Sequence, residues 1–302
     1  MRRTRVTAGV TSAAIATFAL FTTFALTACQ SAATTAAAGP STSASPIASA
    51  GTGPGSSPSA EASFGAGTGK SWNYTITSLT NTTSPDATLS VQYPVVTFTT
   101  LTPADTVLAA TVNTKFKNVD EAFVSLFRTQ FLNPNPVTAK GAIVPSKLQV
   151  TAYANRIGDV LSVRYDAFFD RSGGATGLSE EQVLSVRMDT GATLGPTDLL
   201  APAAFSGAGQ TQLAALIAPS LGSDFIFGGQ SAQSAVHNAL ATLSMLTNGM
   251  SDPVISITPA GLEFTFQQGA ITPMSNGTPV IVVPFAKLGS LVNPTLKTLV
   301  GA

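Results

Sequence analysis

Apolar positions recur along this chain with two periods, and the switches between them mark out its elements. Over residues 72–79 the pattern alternates, with Trp72, Tyr74 and Ile76 on one side, and it runs through Asn81-Thr82-Thr83-Ser84-Pro85-Asp86 into a second stretch, residues 89–99. Alternation on either side of a cluster of turn residues predicts a hairpin. Leu108, Val112, Phe116, Val119, Phe123, Leu126 and Phe127 then follow at spacings of 4, 4, 3, 4, 3 and 1. That is the period of a helix. Pro103 opens it and Asn133-Pro134-Asn135-Pro136 stops it.

Strand-like alternation returns over residues 149–155 and 159–169, parted by Arg156-Ile157-Gly158, and over residues 182–188 beyond the loop Ser172-Gly173-Gly174. Short turns between consecutive strands predict an antiparallel meander. Residues 194–200 form a corner, and residues 210–221 and 231–246 read as two short helices separated by Gly222, Gly228 and Gly229. Residues 254–258 and 262–267 are strands joined by Pro259-Ala260-Gly261, with Leu262, Phe264 and Phe266 on one face. Val280-Ile281-Val282-Val283, between Pro279 and Pro284, is apolar throughout, which predicts a strand buried on both faces. The order of strands, helix, strands, helices, strands predicts an α+β fold, a mainly antiparallel sheet with packed helices, rather than alternating βαβ units.

The first 69 residues belong to no such pattern. Met1-Arg2-Arg3-Thr4-Arg5 carries three positive charges and leads into an apolar run, residues 6–26, in the manner of a secretory signal. It closes on Leu26, Thr27, Ala28 and Cys29, which resembles a bacterial lipobox, where small residues admit the signal peptidase and the thiol receives a diacylglyceryl group. The run is also long enough to span a bilayer. Its threonines make a poor permanent helix, however, and the only Cys of the chain falls where lipidation uses it. Residues 1–28 therefore read as a lipoprotein signal peptide, and the expected address is the outer face of a bacterial cytoplasmic membrane, reached through the acyl chains, palmitate among them, on Cys29. Of the next 40 residues, 30–69, all but Gln30, Ile47, Glu61 and Phe64 are Ala, Gly, Ser, Thr or Pro. Such a stretch lacks the apolar surface to offset the entropy of ordering, so residues 29–69 are expected to form a disordered tether, its ends about 35 Å apart.

Composition narrows the chemistry. Charged residues are 10% of the chain, 15 basic and 15 acidic, where about 25% is usual. No basic patch of the kind that neutralises nucleic-acid phosphates is available. One Cys and one His exclude a disulfide framework and a thiolate or imidazole zinc site. The glycines never fall into a dinucleotide or phosphate-loop spacing, so neither cofactor nor metal is expected.

Near the C-terminus the chain is similar to a known family. Gly261, Leu262, Phe264 and Phe266, then Ile271, Pro273, Gly277, Val280, Val282, Pro284, Phe285 and Leu288, resemble the closing motif of the RsiV-like family. This is an extracytoplasmic domain of unknown function shared by a lysozyme-receptor anti-sigma factor, secreted mycobacterial immunogenic proteins and some peptidoglycan deacetylases. Upstream, residues 159–163, Met188-Asp189-Thr190-Gly191, Leu194 and residues 197–200 resemble its central portion, while Tyr93-Pro94 and a helix bearing Asn113 resemble the smaller unit that precedes it. The resemblance implies an N-terminal α+β unit, residues 70–147, and an RsiV-like domain, residues 148–302. The chain departs from the pattern at Gln268-Gly269, where members often carry an aromatic or acidic residue, and at Phe285, where Tyr is common. The matching positions are mostly apolar, Gly or Pro, so they specify a fold and not an activity.

No catalytic constellation stands out. His237, with Asp224 thirteen positions before it, lacks a Gly-x-Ser-x-Gly elbow and reads as a helix-surface or half-buried residue. Asp166 and Asp170 point the same way on one strand and Asp189 and Asp198 bracket a turn, so paired carboxylates for glycoside hydrolysis are conceivable. Loop and capping duties account for them more simply. Glu180-Glu181 reads as the solvated start of a strand, and Thr75, Thr77, Thr97, Thr99, Thr265 and Gln267 as uncharged exposed faces suited to glycan or peptide contact. The expected function is that of a non-catalytic envelope lipoprotein binding peptidoglycan, a lysozyme-like ligand or another secreted protein. The alternative is a wall-active hydrolase or deacetylase accessory using surface carboxylates. An anti-sigma role needs a cytoplasmic segment, and five residues ahead of the apolar run do not provide one.

Overall fold

The structure is a computed structural model that describes residues 71–84, 86–99, 102–140, 142–174, 177–221, 230–245 and 253–301. The signal peptide, the lipobox, Cys29, the tether, Asp224, Gly222, Gly228 and Gly229 lie outside the described residues. Over the rest the fold is α+β with mostly antiparallel sheet.

The first hairpin forms as the alternation requires. β1 (Trp72–Ser84) pairs antiparallel with β2 (Ala87–Phe98), with a register shift confined to the tip between Asn81 and Ser84. Next comes α1 (Pro103–Leu126). The Thr102 hydroxyl accepts the Asp105 N–H at 3.2 Å and the Asp105 carboxylate accepts the Thr102 N–H at 3.3 Å, a capping box that satisfies two orphan donors. The helix ends in a π-helical turn, Phe127–Phe131, that stacks Phe131 on Phe169 at 4.5 Å.

A small hairpin, β3 (Thr138–Ala139) with β4 (Ala142–Ile143), leads into the meander β5 (Ser146–Ile157), β6 (Val160–Asp170) and β7 (Leu178–Arg187), and then the two-residue β8 (Thr193–Leu194). The large sheet has the order β1-β2-β5-β6-β7-β8. It runs through position 147 without a break. One pair departs from the expected antiparallel pattern: β2 and β5 are parallel from Ala87↔Ser146 to Val91↔Val150. Parallel neighbours need a long crossover, and α1 is that crossover. Beyond Val91 the two strands part, and the Asn113 amide of α1 takes the missing strand's place. It accepts the Val96 N–H at 2.7 Å and donates to the Val96 carbonyl at 3.0 Å.

The second sheet has the order β11-β10-β9, from β9 (Val254–Thr258), β10 (Gly261–Thr265) and β11 (Val280–Pro284). It packs with α2 (Pro196–Leu199), α3 (Gly207–Ile217), α4 (Ala232–Ala241), α5 (Phe285–Leu288) and α6 (Pro294–Val300). β11 is not buried on both faces as its composition suggested. It is an edge strand with one face open, so Ile281 and Val283 turn into the core while Val280 and Val282 stay exposed. The motif residues hold this unit together. Leu262, Phe264 and Phe266 are fully buried. Gly261 has φ +156°, and a Cβ there would run into the Val283 carbonyl. Pro273 and Gly277, the latter at φ +75°, bracket a 3-10 turn, and Pro284 with Phe285 starts α5.

Two cores result, one on each face of the large sheet. On β6 the residues Leu161, Val163, Tyr165, Ala167 and Phe169 turn into the core beneath α1, with Phe116, Phe123, Trp72 and Met188. The opposite parity, Ser162, Arg164, Asp166 and Phe168, faces the other way. There the second sheet covers part of it: the Ile257 N–H of β9 donates to the Ser162 hydroxyl at 2.9 Å.

Candidate functional site

The continuation of that face, at the margin of the second sheet, holds the densest charge of the described residues. Strand parity brings Tyr153 of β5 opposite Arg164 of β6, and Asp166 opposite Glu181 of β7. Glu263 reaches the same point from β10. The Arg164 Nη1 donates to Glu181 Oε2 at 3.1 Å, its Nε donates to Glu263 Oε1 at 2.9 Å, and its guanidinium lies 4.3 Å from the centre of the Tyr153 ring. The Ser256 hydroxyl donates to the same Glu263 oxygen at 2.8 Å. Tyr153 and Phe168 are 43% and 42% exposed, so two rings border the charged cluster at the surface.

Two carboxylates therefore pair with one guanidinium, and Asp166 acts on it through space. Burial pushes Glu181 up to about 8, with Asp166 adding to the rise and Arg164 opposing it. Asp166 is also raised by burial, against the pull of Arg164. Burial alone lowers Arg164, but Glu181 and Glu263 outweigh it and leave its proton held more tightly than usual. Burial of Glu181 and Asp166 beside a single guanidinium thus favours their protonated forms more than in water.

Glu181 is thus the reverse of the solvated start of a strand: it is 2% exposed and its backbone is clamped as well. Gln267 accepts the Glu181 N–H at 2.9 Å and donates to its carbonyl at 2.7 Å, and Gln268 accepts the Ser179 N–H at 2.7 Å. Two side-chain amides close the edge of β7 that β8 is too short to cover. Thr265 is likewise not on an exposed face but fully buried, its hydroxyl without a partner among the described residues. Thr75, Thr97 and Thr99 are exposed and Thr77 is half-buried.

The remaining acidic residues stay apart from this cluster. Asp170 ends β6 opposite Lys147, four residues from Asp166, which is on the order of 13 Å along a strand. Asp189 is held by a two-pronged contact from Arg187, at 3.0 Å and 2.5 Å, whose hydrogen bonds lower its pKa. Asp198 accepts the Gly195 N–H at 2.8 Å and starts α2. His237 is half-buried on α4, beside a depression of about 280 Å³ that Ser231, Ser234 and Asn238 also line. Among the described residues no three His, Cys, Asp or Glu side chains are grouped to hold a metal ion, and no helix is long and apolar enough to cross a membrane.

Sequence reading passed over Arg164, Glu263 and Tyr153. The available signal was position: in a chain poor in charge, Arg164 and Asp166 alternate with the apolar positions of one strand and Glu263 sits between Leu262 and Phe264 of another. Charges inside strands are seldom buried unless they are paired.

No family model and no curated protein matches the chain. Among solved structures it is similar to a DUF3298 family protein from Pseudomonas aeruginosa PAO1, at 14% identity over 76% of this chain and 96% of that one, with a TM-score of 0.44. It is also similar to a member of the DUF3298 family from Bacteroides fragilis NCTC 9343, at 15% identity over 77% of this chain and 98% of that one, with a TM-score of 0.47.

Proposed function

We propose that this chain is a non-catalytic cell-envelope lipoprotein of the RsiV-like kind, acylated at Cys29, and that its folded part binds a wall component or a secreted protein such as a lysozyme-like enzyme. The observation that carries the binding role is the face formed by Tyr153, Arg164, Asp166 and Phe168, where two half-exposed rings stand at the surface over a largely buried charged cluster that holds them in place. Aromatic and guanidinium groups on a rigid sheet are the residue types that dominate recognition surfaces, because they bring large contact area at small entropic cost. The test is titration of the full chain with soluble peptidoglycan fragments and with lysozyme. One of them is expected to bind, and Tyr153→Ala or Asp166→Asn to weaken it by roughly tenfold or more. Binding of neither ligand, or equal binding by both variants, overturns the reading. Mass spectrometry of the native N-terminus is expected to find acylated Cys29, and an intact Met1 rejects the lipoprotein.

A second reading, a wall hydrolase or deacetylase accessory, draws on one observation: Asp166 faces Glu181 across β6 and β7, a closer pair than Asp166 with Asp170, and both acids are raised. It requires turnover of labelled peptidoglycan that disappears in Asp166→Asn. Absence of turnover by the purified chain with added divalent metal rejects it.

A further inference from the structure

We propose that the outer edge of β1 pairs with β1 of a second copy of this chain, joining two large sheets antiparallel about a two-fold axis. β1 is the outermost strand of its sheet. The Thr99 N–H donates to the Ser71 carbonyl at 2.9 Å, so odd-numbered positions bond inward to β2 and even-numbered ones turn their N–H and C=O outward. The Trp72 carbonyl fits that alternation and is taken by Arg156 Nη1 at 2.7 Å. Among the described residues, nothing meets the outward backbone groups of Ile76, Ser78 and Thr80.

Sheet edges are ordinarily guarded by charge, proline, shortness or a covering side chain, and the other edges here are. β8 has two residues. β11 has five and is closed by Pro284. The open part of β7 is covered by Gln267 and Gln268, and β9 lays its Ile257 N–H on Ser162. Beyond the Trp72 carbonyl that Arg156 covers, β1 has none of these devices among the described residues. It has 13 residues without a charge or a proline, and its one irregularity lies at the tip, beyond the outward run.

The occupant follows from charge. Antiparallel self-pairing sets a strand against its own sequence, so each charged residue would lie close to its like and oppose association. From Trp72 to Phe98 the only residue charged at neutral pH is Asp86, at the turn. Nothing electrostatic opposes a second copy. With the axis at Ser78, Ile76 of one copy lies opposite Thr80 of the other. Ile76 and Leu79, 40% and 58% exposed, stand on opposite faces, so each face of the joint covers an apolar side chain. Such an interface is isologous and closes at two copies.

The test is sedimentation of the full chain in density-matched detergent over a hundredfold concentration range. The protein mass is expected to rise from that of one copy toward that of two. Ser78→Lys, which brings two charges together at the axis, is expected to remain monomeric, while Gln233→Lys, on the exposed surface of α4, dimerises like the parent. Ser78→Cys is expected to form a disulfide-linked dimer under mild oxidation and Gln233→Cys is not. A parent that stays monomeric throughout overturns the proposal. So does a dimer that survives Ser78→Lys, or one in which Ser78→Cys does not cross-link.

Discussion

Asp120 shows how unevenly single residues contribute here. It lies in α1, 5% exposed, in the core shared with Tyr165 of β6, and neither its carboxylate oxygens nor the Tyr165 hydroxyl has a hydrogen-bond partner among the described residues. Burial pushes Asp120 up to about 8, with its neighbour Glu121 adding to the rise. The Tyr165 hydroxyl is raised as well, by burial and then by Asp120. An acid whose folded pKa lies above its unfolded value must take up a proton on folding. Its penalty is absent below about pH 4, grows as pH rises toward 8 and is complete beyond it. In Asp120→Asn that slope is expected to disappear, leaving the variant more stable than the parent at pH 8 by about 2 kcal/mol, as urea unfolding at several pH values would show. An Asn variant less stable than the parent at pH 8 contradicts this account. Arg164 presents the opposite case, a buried cation whose removal strands its partners. Arg164→Met is expected to cost about 3 kcal/mol at pH 8, and less at pH 5, where Glu181 and Asp166 take protons more readily. Equal losses at the two pH values would show that packing, and not charge, carries the effect.

Elements in this chain end or diverge where a side-chain amide replaces a strand. Asn113 does so for β2 after it leaves β5, and Gln267 with Gln268 for the open edge of β7. In a chain with so little charge, amides satisfy backbone groups without bringing a desolvated ion into the sheet. Asn113→Ala removes both partners of Val96, whose N–H and C=O are then left on the edge of β2 that no strand covers. Its expected cost is about 2 kcal/mol, with faster amide exchange at Val96 and little change at the β1–β2 pairs. Unchanged protection at Val96 would mean that another protein group takes the place of the amide and would contradict this account. The same logic accounts for Gln268, whose amide is engaged with β7 and with the Met274 carbonyl, at 2.7 Å each.

At the scale of the whole molecule, the positions of strands and helices were largely legible in periodicity, because alternation and 3.6-residue recurrence are properties of neighbouring residues. The α1 period, the β5 to β7 meander and the buried row Leu262, Phe264, Phe266 all follow from it. Periodicity did not reveal that β2 and β5 lie parallel. Nor did it reveal that β11 is an edge, since four apolar residues in a row look alike in the middle of a sheet and at its border. The site was legible least. Asp166 was visible as a carboxylate on a strand, yet its neighbours Tyr153, Glu181 and Glu263 come from three other strands, up to about a hundred positions away along the chain, and only register sets them around Arg164. By itself the sequence determined local conformation, fold class and scarcity of charge, which depend on nearest neighbours and composition. The tertiary structure alone decided which acids are desolvated and which strand edge stays open, because both depend on what packs against a residue from a distant part of the chain.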